Sequence, residues 1–487
     1  MSTARPGIAS PLLWSTASSL GTQALAFATF AVLARLLGAP AFGLVALAAL
    51  VIDLLLVVSN AGIAEAVVQR PALSEDDADT AFWTNLLCGL FFCIATMAFA
   101  PLIAGAFDQP KLTSIIRALA TIFVINPLGA IHTARLTRSL NFHAVAMRNI
   151  VAALVGAGVG LPLALAGYGI WSLVAQRIAV IIALSACAWI SLPWLPRLRF
   201  RYHAFRELVR FGAYIGLSGT LNQINIRIAE VISGALVGPV AVAFIRAGSR
   251  IVEVLNQVTY APFHQIAMPL LARSCANNEE LKATYLRLSR LSAFVMFPAF
   301  LGCMALADVV VAVVFGPGWE AVADAIRIFA CAVAAAQMNN LIVSAITALG
   351  HSGKVLSWTA TQITLGLLAA WAVHKWGWQA MLMTGVARGY LILPYGFYLL
   401  KKHAGIRFRD VIASVRPALC SAAVMAIAVI GGVTKTAGIL HNAFTVVLWG
   451  TCGAGIYLGV YVLQDREIIV QMRDILASRR KITRVGH

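Results

Sequence analysis

The run LLWSTASSLGTQALAFATFAVLARLL, Leu12 to Leu37, decides what kind of molecule this is: it carries one charge, Arg35, near its far end. A bilayer core of about 30 Å is crossed by about 20 helical residues, and this run is longer. It also exceeds the apolar core of a signal peptide, about 7–15 residues, and lacks a clear cleavage site, so it is expected to remain as the first span. Similar runs recur almost to Leu463. Over the 487 residues, 60% are apolar and 11% charged, with a mean hydropathy of +0.85. A soluble chain would carry about 25% charged residues. These figures exclude a soluble enzyme, a disordered chain and a disulfide scaffold. All eight cysteines but Cys275 lie in apolar runs, with no CxxC pair, and behave as small apolar residues. The histidines are scattered without ligand spacing, so no metal and no cofactor is expected.

Turn residues and charge clusters divide the chain into fourteen candidate helices. Six fall at 12–37, 43–66, 82–107, 112–134, 148–166 and 169–192. Six more fall at 208–236, 240–266, 284–315, 321–349, 355–373 and 377–400, followed by 411–433 and 441–463. Helices are required because lipid offers the backbone no hydrogen-bond partner. With this count, alternate loops collect Arg70, Arg135, Arg138, Arg197–Arg210, Arg273, Lys354, Lys401, Lys402 and the tail arginines, while the opposite loops hold Lys111, Lys375 and Lys435. Positive loops stay in the cytoplasm, which places both termini there. The net charge of +18 is therefore mostly topology, and no nucleic acid is expected as a partner. The opposite loops are short, as at Gly167–Gly169, leaving no external domain for a catalytic site, and no enzyme is expected. In the basic tail 464–487, Ile468, Met472, Ile475 and Leu476 share a helical face, the pattern of a helix lying on anionic lipid.

Two sets of six helices flank an arginine-rich linker. Leu37-Gly38-Ala39-Pro40 ends the first helix as Val237-Gly238-Pro239 ends the seventh. Six is even, so both halves enter from the same side and the repeat is parallel. The expected architecture is all-α and integral to the membrane, with about 14 transmembrane helices. It comprises a six-helix lobe at 1–192, a cytoplasmic linker at 193–210, a second six-helix lobe at 211–403, two additional helices at 404–463 and the tail.

The hairpin Leu33-Ala34-Arg35-Leu36-Leu37-Gly38 with Phe42-Gly43, and the stretch Gly62-Ile63-Ala64-Glu65-Ala66-Val67-Val68-Gln69-Arg70 followed by Thr80-Ala81-Phe82-Trp83-Thr84-Asn85, resemble bacterial polysaccharide flippases of the Wzx type. These belong to the multidrug/oligosaccharidyl-lipid/polysaccharide exporter superfamily. The resemblance implies two six-helix lobes and transport of an undecaprenyl-diphosphate-linked oligosaccharide across the bacterial inner membrane for exopolysaccharide or lipopolysaccharide synthesis. A polysaccharide polymerase and export machinery are candidate partners beside the membrane lipids.

An arginine at mid-bilayer costs about 2.5–3.5 kcal/mol on insertion scales, yet several lie within these spans. Arg35, Arg117, Arg327 and Arg416 sit near helix ends, where they can snorkel. Deeper ones form stripes: Gln223, Arg227 and Glu230 on the seventh predicted helix, and Arg246, Arg250, Glu253 and Gln257 on the eighth. Such stripes face a cavity or another helix rather than lipid. The spacings Arg227/Glu230 and Arg250/Glu253 also permit local ion pairs. Because arginine exceeds acid in these spans, an anion is the expected ligand, and the guanidinium fork suits phosphate. Arg246 and Arg250, helped by Arg227, Arg177 and Arg388, are the candidate residues for the carrier diphosphate. Asn222, Asn225, Gln337, Asn339 and Asn340 either bind sugar hydroxyls or bridge helices. Glu65, Gln69 and Arg70 are candidates for a cytoplasmic gate. Ser74, with Glu75, Asp76 and Asp77, has the pattern of a helix N-cap. Asp53 is the candidate site of a coupling proton or cation, against a plainer reading as a satisfied polar contact.

Two other functions fit the composition less well. A multidrug or cation antiporter of the same superfamily would line its cavity with acids. A polytopic glycan polymerase or acyltransferase needs an external loop or a compact catalytic group.

Overall fold

Gly38 takes φ 72° and ψ 165°, a conformation open to glycine and closed to most other residues. With Pro40 following, it breaks the long helix Ala9–Asn60 into two, between 37 and 43 as the sequence predicts. The computed structural model describes residues 9–60, 62–70, 73–275, 277–436 and 442–465. Among them every regular element is helical, and nine helices are long and apolar enough to cross a membrane, or ten if one bent pair forms a single span. The tail with its expected lipid-facing helix lies, from 466 onward, outside the described residues.

Helix underlies each of the fourteen predicted spans, but several are interrupted. The second ends at Asn60, and left-handed Gly62 (φ 64°) starts the separate short helix Ile63–Gln69. Span 240–266 divides into Pro239–Thr259 and Ala261–Ser274, and span 377–400 into Trp378–Leu391 and Leu393–Ala404. In both cases a proline, Pro262 or Pro394, opens the second piece, where its missing N–H leaves no bond unmade. Span 321–349 bends by 47° between Val322–Cys331 and Val333–Ala348.

The chain forms two compact units. One contains residues up to Arg246 together with Ile363–Met381; the other contains Ala247–Gln362 and the residues from Leu382 onward. In the first, helix Tyr202–Leu236 packs on Ala9–Asn60, Ile63–Gln69 and Glu75–Ala106. Ile63, Val67, Phe82, Ile131 and Leu208 form a buried cluster there. In the second, Leu271, Tyr285, Phe297, Leu400 and Tyr461 belong to one buried core.

Helices in lipid gain little from excluding water, so close backbone approach matters more. Gly43 shows this in the first unit. A Cβ built there would stand 2.2 Å from the carbonyl oxygen of Pro239. The two hairpins therefore touch, backbone to backbone, which brings the start of Pro239–Thr259 against the helix carrying Asp53. Gly43→Val should force these backbones apart at a cost of about 1–3 kcal/mol. A melting curve of the purified protein in detergent that matches wild type would refute the close-contact reading.

Candidate functional site: an arginine-rich cluster in the first unit

Five charged-type side chains from four helices converge in the first unit. Asp53 lies on Ala9–Asn60, Arg177 on Ile170–Ser191, Arg227 and Glu230 on Tyr202–Leu236, and Arg246 on Pro239–Thr259. Arg177 Nη2 donates to Asp53 Oδ1, and Arg246 Nη1 stands 3.8 Å from Asp53 Oδ2. Arg246 also donates to Glu230 Oε2 from Nε at 3.2 Å and from Nη2 at 3.0 Å. The same oxygen accepts from Arg227 Nη1 at 3.3 Å. The Glu230 side chain is only 8% exposed. Three guanidiniums thus share two carboxylates, leaving one positive charge in excess among these five residues. The Nε–H groups of Arg177 and Arg227 are buried with no hydrogen-bond partner among the described residues. A buried donor without a partner costs about 1–3 kcal/mol. Positive charge and spare donors occur together, which is what an oxyanion site requires.

The expected local pair Arg227/Glu230 therefore forms, but within a larger network. Arg250 and Arg388 belong to the second unit, where each has a partner of its own. Arg250 Nη1 pairs with Glu253 Oε2 at 3.0 Å, the second expected spacing. Arg388 Nη1 donates to the Gln362 carbonyl at 3.0 Å. Two of the amides bridge helices: Gln337 Nε2 donates to Ser292 Oγ at 2.9 Å, and Asn339 Nδ2 donates to the Gly389 carbonyl at 3.0 Å. The Asn222 side chain lies outside the described residues.

The Gly62–Arg70 signature forms a second polar assembly in the first unit. Glu65 and Gln69 are exposed on the short helix Ile63–Gln69. Arg70 Nη2 pairs with Glu207 Oε2 at 2.6 Å and Arg70 Nη1 stands 3.6 Å from Asp77 Oδ1. Arg138 Nη1 donates to the carbonyls of Val67 and Arg70, holding the end of that helix. Ser74 caps Glu75–Ala106 through a full capping box: Asp77 N donates to Ser74 Oγ at 3.1 Å, and Ser74 N to Asp77 Oδ2 at 3.2 Å.

The first turns of that helix also hold the basic linker, an arrangement the sequence reading missed. Asp79 Oδ1 accepts from Arg197 N at 3.1 Å, and Thr80 Oγ1 from Arg201 N at 3.1 Å. Trp83 Nε1 donates to the Arg197 carbonyl at 2.8 Å. Asp76 pairs with Arg199 and Arg201 at 3.0 and 2.8 Å. Arg135 grips Glu75 with both Nη atoms and lies over the Trp194 ring, 4.7 Å from its centroid. The available signal was the spacing of Asp76, Asp79, Thr80 and Trp83, a helical face of acceptors and one donor awaiting an extended strand.

A family model described as polysaccharide biosynthesis protein matches residues 32–324, which includes both stretches on which the family resemblance rests and three of the cluster helices. The chain belongs to the polysaccharide biosynthesis protein family. This family member is 24% identical to the succinoglycan biosynthesis transport protein ExoT of Rhizobium meliloti (strain 1021), over 96% of its own length and 95% of the relative's. It is 23% identical to the lipopolysaccharide biosynthesis protein WzxC of Escherichia coli (strain K12), over 82% of each chain. Among solved structures it resembles the lipid II flippase MurJ in an inward closed conformation, with a TM-score of 0.79, 11% identity, and coverage of 94% of this chain and 100% of that one. A multidrug resistance MATE family transporter of the MOP superfamily, inward-facing, matches with a TM-score of 0.56 at 17% identity, covering 81% and 95%. At these identities the structural likenesses establish fold. The polysaccharide biosynthesis protein is accordingly an all-helical, multi-span membrane protein.

Because Glu230 serves two guanidiniums, its loss should be worse than the loss of either partner. Glu230→Gln is expected to destabilise the protein by about 3 kcal/mol, and Arg227→Gln in that background to recover part of it. Melting temperatures in detergent read both effects; a Glu230→Gln protein as stable as wild type would dismiss the shared-charge account.

Proposed function

We propose that this protein is a flippase that moves an undecaprenyl-diphosphate-linked oligosaccharide from the cytoplasmic to the outer leaflet of the bacterial inner membrane, for exopolysaccharide or lipopolysaccharide synthesis. The observation that carries this reading is the Arg177–Arg227–Arg246 cluster, with its excess positive charge and two buried donors without partners. Family membership and relatives named for succinoglycan and lipopolysaccharide biosynthesis support the glycan class of cargo.

In the proposed cycle no covalent bond is made or broken. The two sequence-related lobes, 1–192 and 211–403, rock to expose a central cleft to alternate sides, with 404–463 as two additional spans in a total of about 14. Both termini lie in the cytoplasm, as the loop arginines support. Glu65, Gln69 and Arg70 stand at the cytoplasmic gate, and the head group then settles on Arg246, Arg227 and Arg177; Arg250 and Arg388 are further candidates for the diphosphate, each in the second unit. A pair of oxygens on one phosphate offers a guanidinium fork the bidentate acceptor that a carboxylate offers in its absence. Asp53 is thereby released, and only then is it available to a coupling proton or cation. The inside-negative potential favours outward movement of negative charge by about 2.3 kcal/mol per charge for each 100 mV.

Transport of lipid-linked glycan in vesicles or cells tests the assignment, with correct insertion of each variant verified. Arg246→Ala and Arg177→Ala should each lower transport by about tenfold or more, the value of one charge-assisted hydrogen bond, and the corresponding Lys variants should recover part of it. Wild-type rates in both Ala variants would remove these arginines from the cargo site.

A further inference from the structure

The second unit contains a basic cluster that the flipping cycle does not use. Helix Ser352–Ala372 and helix Leu393–Ala404 run close together: a Cβ at Gly396 would meet Trp358 Cη2 at 2.5 Å, and the Trp358 and Tyr395 rings stack with centroids 5.5 Å apart. That packing brings the start of the first helix against the end of the second. Lys354 Nζ donates to His403 Nε2 at 2.6 Å, and the His351 and His403 rings lie 4.2 Å apart. Because an ammonium can only donate, His403 Nε2 is the acceptor of this bond; desolvation, then the charges of Lys354, His351 and Lys402, hold His403 below the ordinary imidazole range. His351 Nδ1 is buried and has no hydrogen-bond partner among the described residues.

This arrangement needs an explanation. An ammonium and two imidazoles are held together, with no carboxylate in ion-pair reach of any of them among the described residues. Elsewhere in the same unit basic side chains meet acids, as in Lys282–Asp410 at 2.8 Å and Arg290–Asp465 at 2.8 Å. His351 and Lys354 lie at the positive end of the Ser352–Ala372 helix dipole, and His403 lies with exposed Lys401 and Lys402 in the last turn of Leu393–Ala404. A group with several acceptor oxygens satisfies all of these features together.

We propose that His351, Lys354 and His403 form a phosphate-binding site, distinct from the arginine cluster, that takes either the phosphate of an anionic phospholipid headgroup or free inorganic phosphate. A phosphate oxygen replaces the imidazole as the acceptor for Lys354 Nζ, and the two histidine rings turn N–H groups toward its neighbours.

Calorimetric titration of the purified full chain in neutral detergent tests this with two probes, a short-chain phosphatidic acid and inorganic phosphate. Saturable binding of phosphatidic acid alone assigns the site to lipid, and comparable binding of both assigns it to the free anion. In either case Lys354→Ala combined with His403→Ala should weaken binding about tenfold, or about 1.4 kcal/mol. Absence of binding to both probes, or unchanged affinity in the double variant, overturns the proposal. A second measurement works on the unsubstituted protein, should that variant fail to fold. Acylation of Lys354, followed by mass spectrometry, should slow several-fold when the binding probe is present while exposed Lys401 keeps its rate; equal protection of neither or both would equally defeat it.

Discussion

Charge sharing inside an apolar helical unit is the constraint around which the first unit is organised. A guanidinium placed singly in an apolar interior costs several kcal/mol, and Arg177, Arg227 and Arg246 are each met there by Asp53 or Glu230. Those carboxylates come from different helices, and their positions depend on backbone approaches such as Gly43 against Pro239. Packing and electrostatics are therefore one arrangement here. A side chain added at Gly43 separates the helices, and separation strands the charges.

The same chemistry is used differently at the linker. Side chains on the first turns of Glu75–Ala106 bind both the backbone and the guanidiniums of residues 197–201. Acids at a helix N-terminus are favoured by the helix dipole, and here they also anchor a segment that has no secondary structure of its own. The aromatic residues complete the hold: His132 donates from Nε2 to the Trp194 carbonyl at 3.0 Å and stacks on Trp189 at 4.3 Å. A linker that composition marks as a basic tether is a fixed strap as far as Arg201, where helix Tyr202–Leu236 begins.

Features set by neighbours in sequence were readable without coordinates. The Gly38-Pro40 break, the Ser74 cap and the i, i+3 ion pairs all follow from local geometry and all appear. What resisted was pairing across the chain. Hydropathy says which residues avoid lipid, and helical spacing says which share a face, but neither names the helix opposite. Asp53 and Arg177 meet across 124 positions, and nothing in the local spacing of either residue announces the other. The helix break at Leu306 and the bend at Ala332 were equally hidden, since no proline marks them.

The pairing of Asp53 with Arg177 changes how a cargo site can work. An arginine cluster with no acids would hold a diphosphate strongly and release it slowly. A cluster whose guanidiniums are already partly paired with carboxylates exchanges one set of charge-assisted bonds for another, so the net gain on loading is a small difference between large terms. Small differences suit a transporter, because its ligand must leave as readily as it arrives. Under the proposed assignment, the Nε–H donors of Arg177 and Arg227 that lack partners among the described residues tip the balance toward cargo, since a diphosphate has more oxygens to offer them than two carboxylates do. The carboxylates that first look like an argument against an anion site are, on this account, what keeps such a site from becoming a trap.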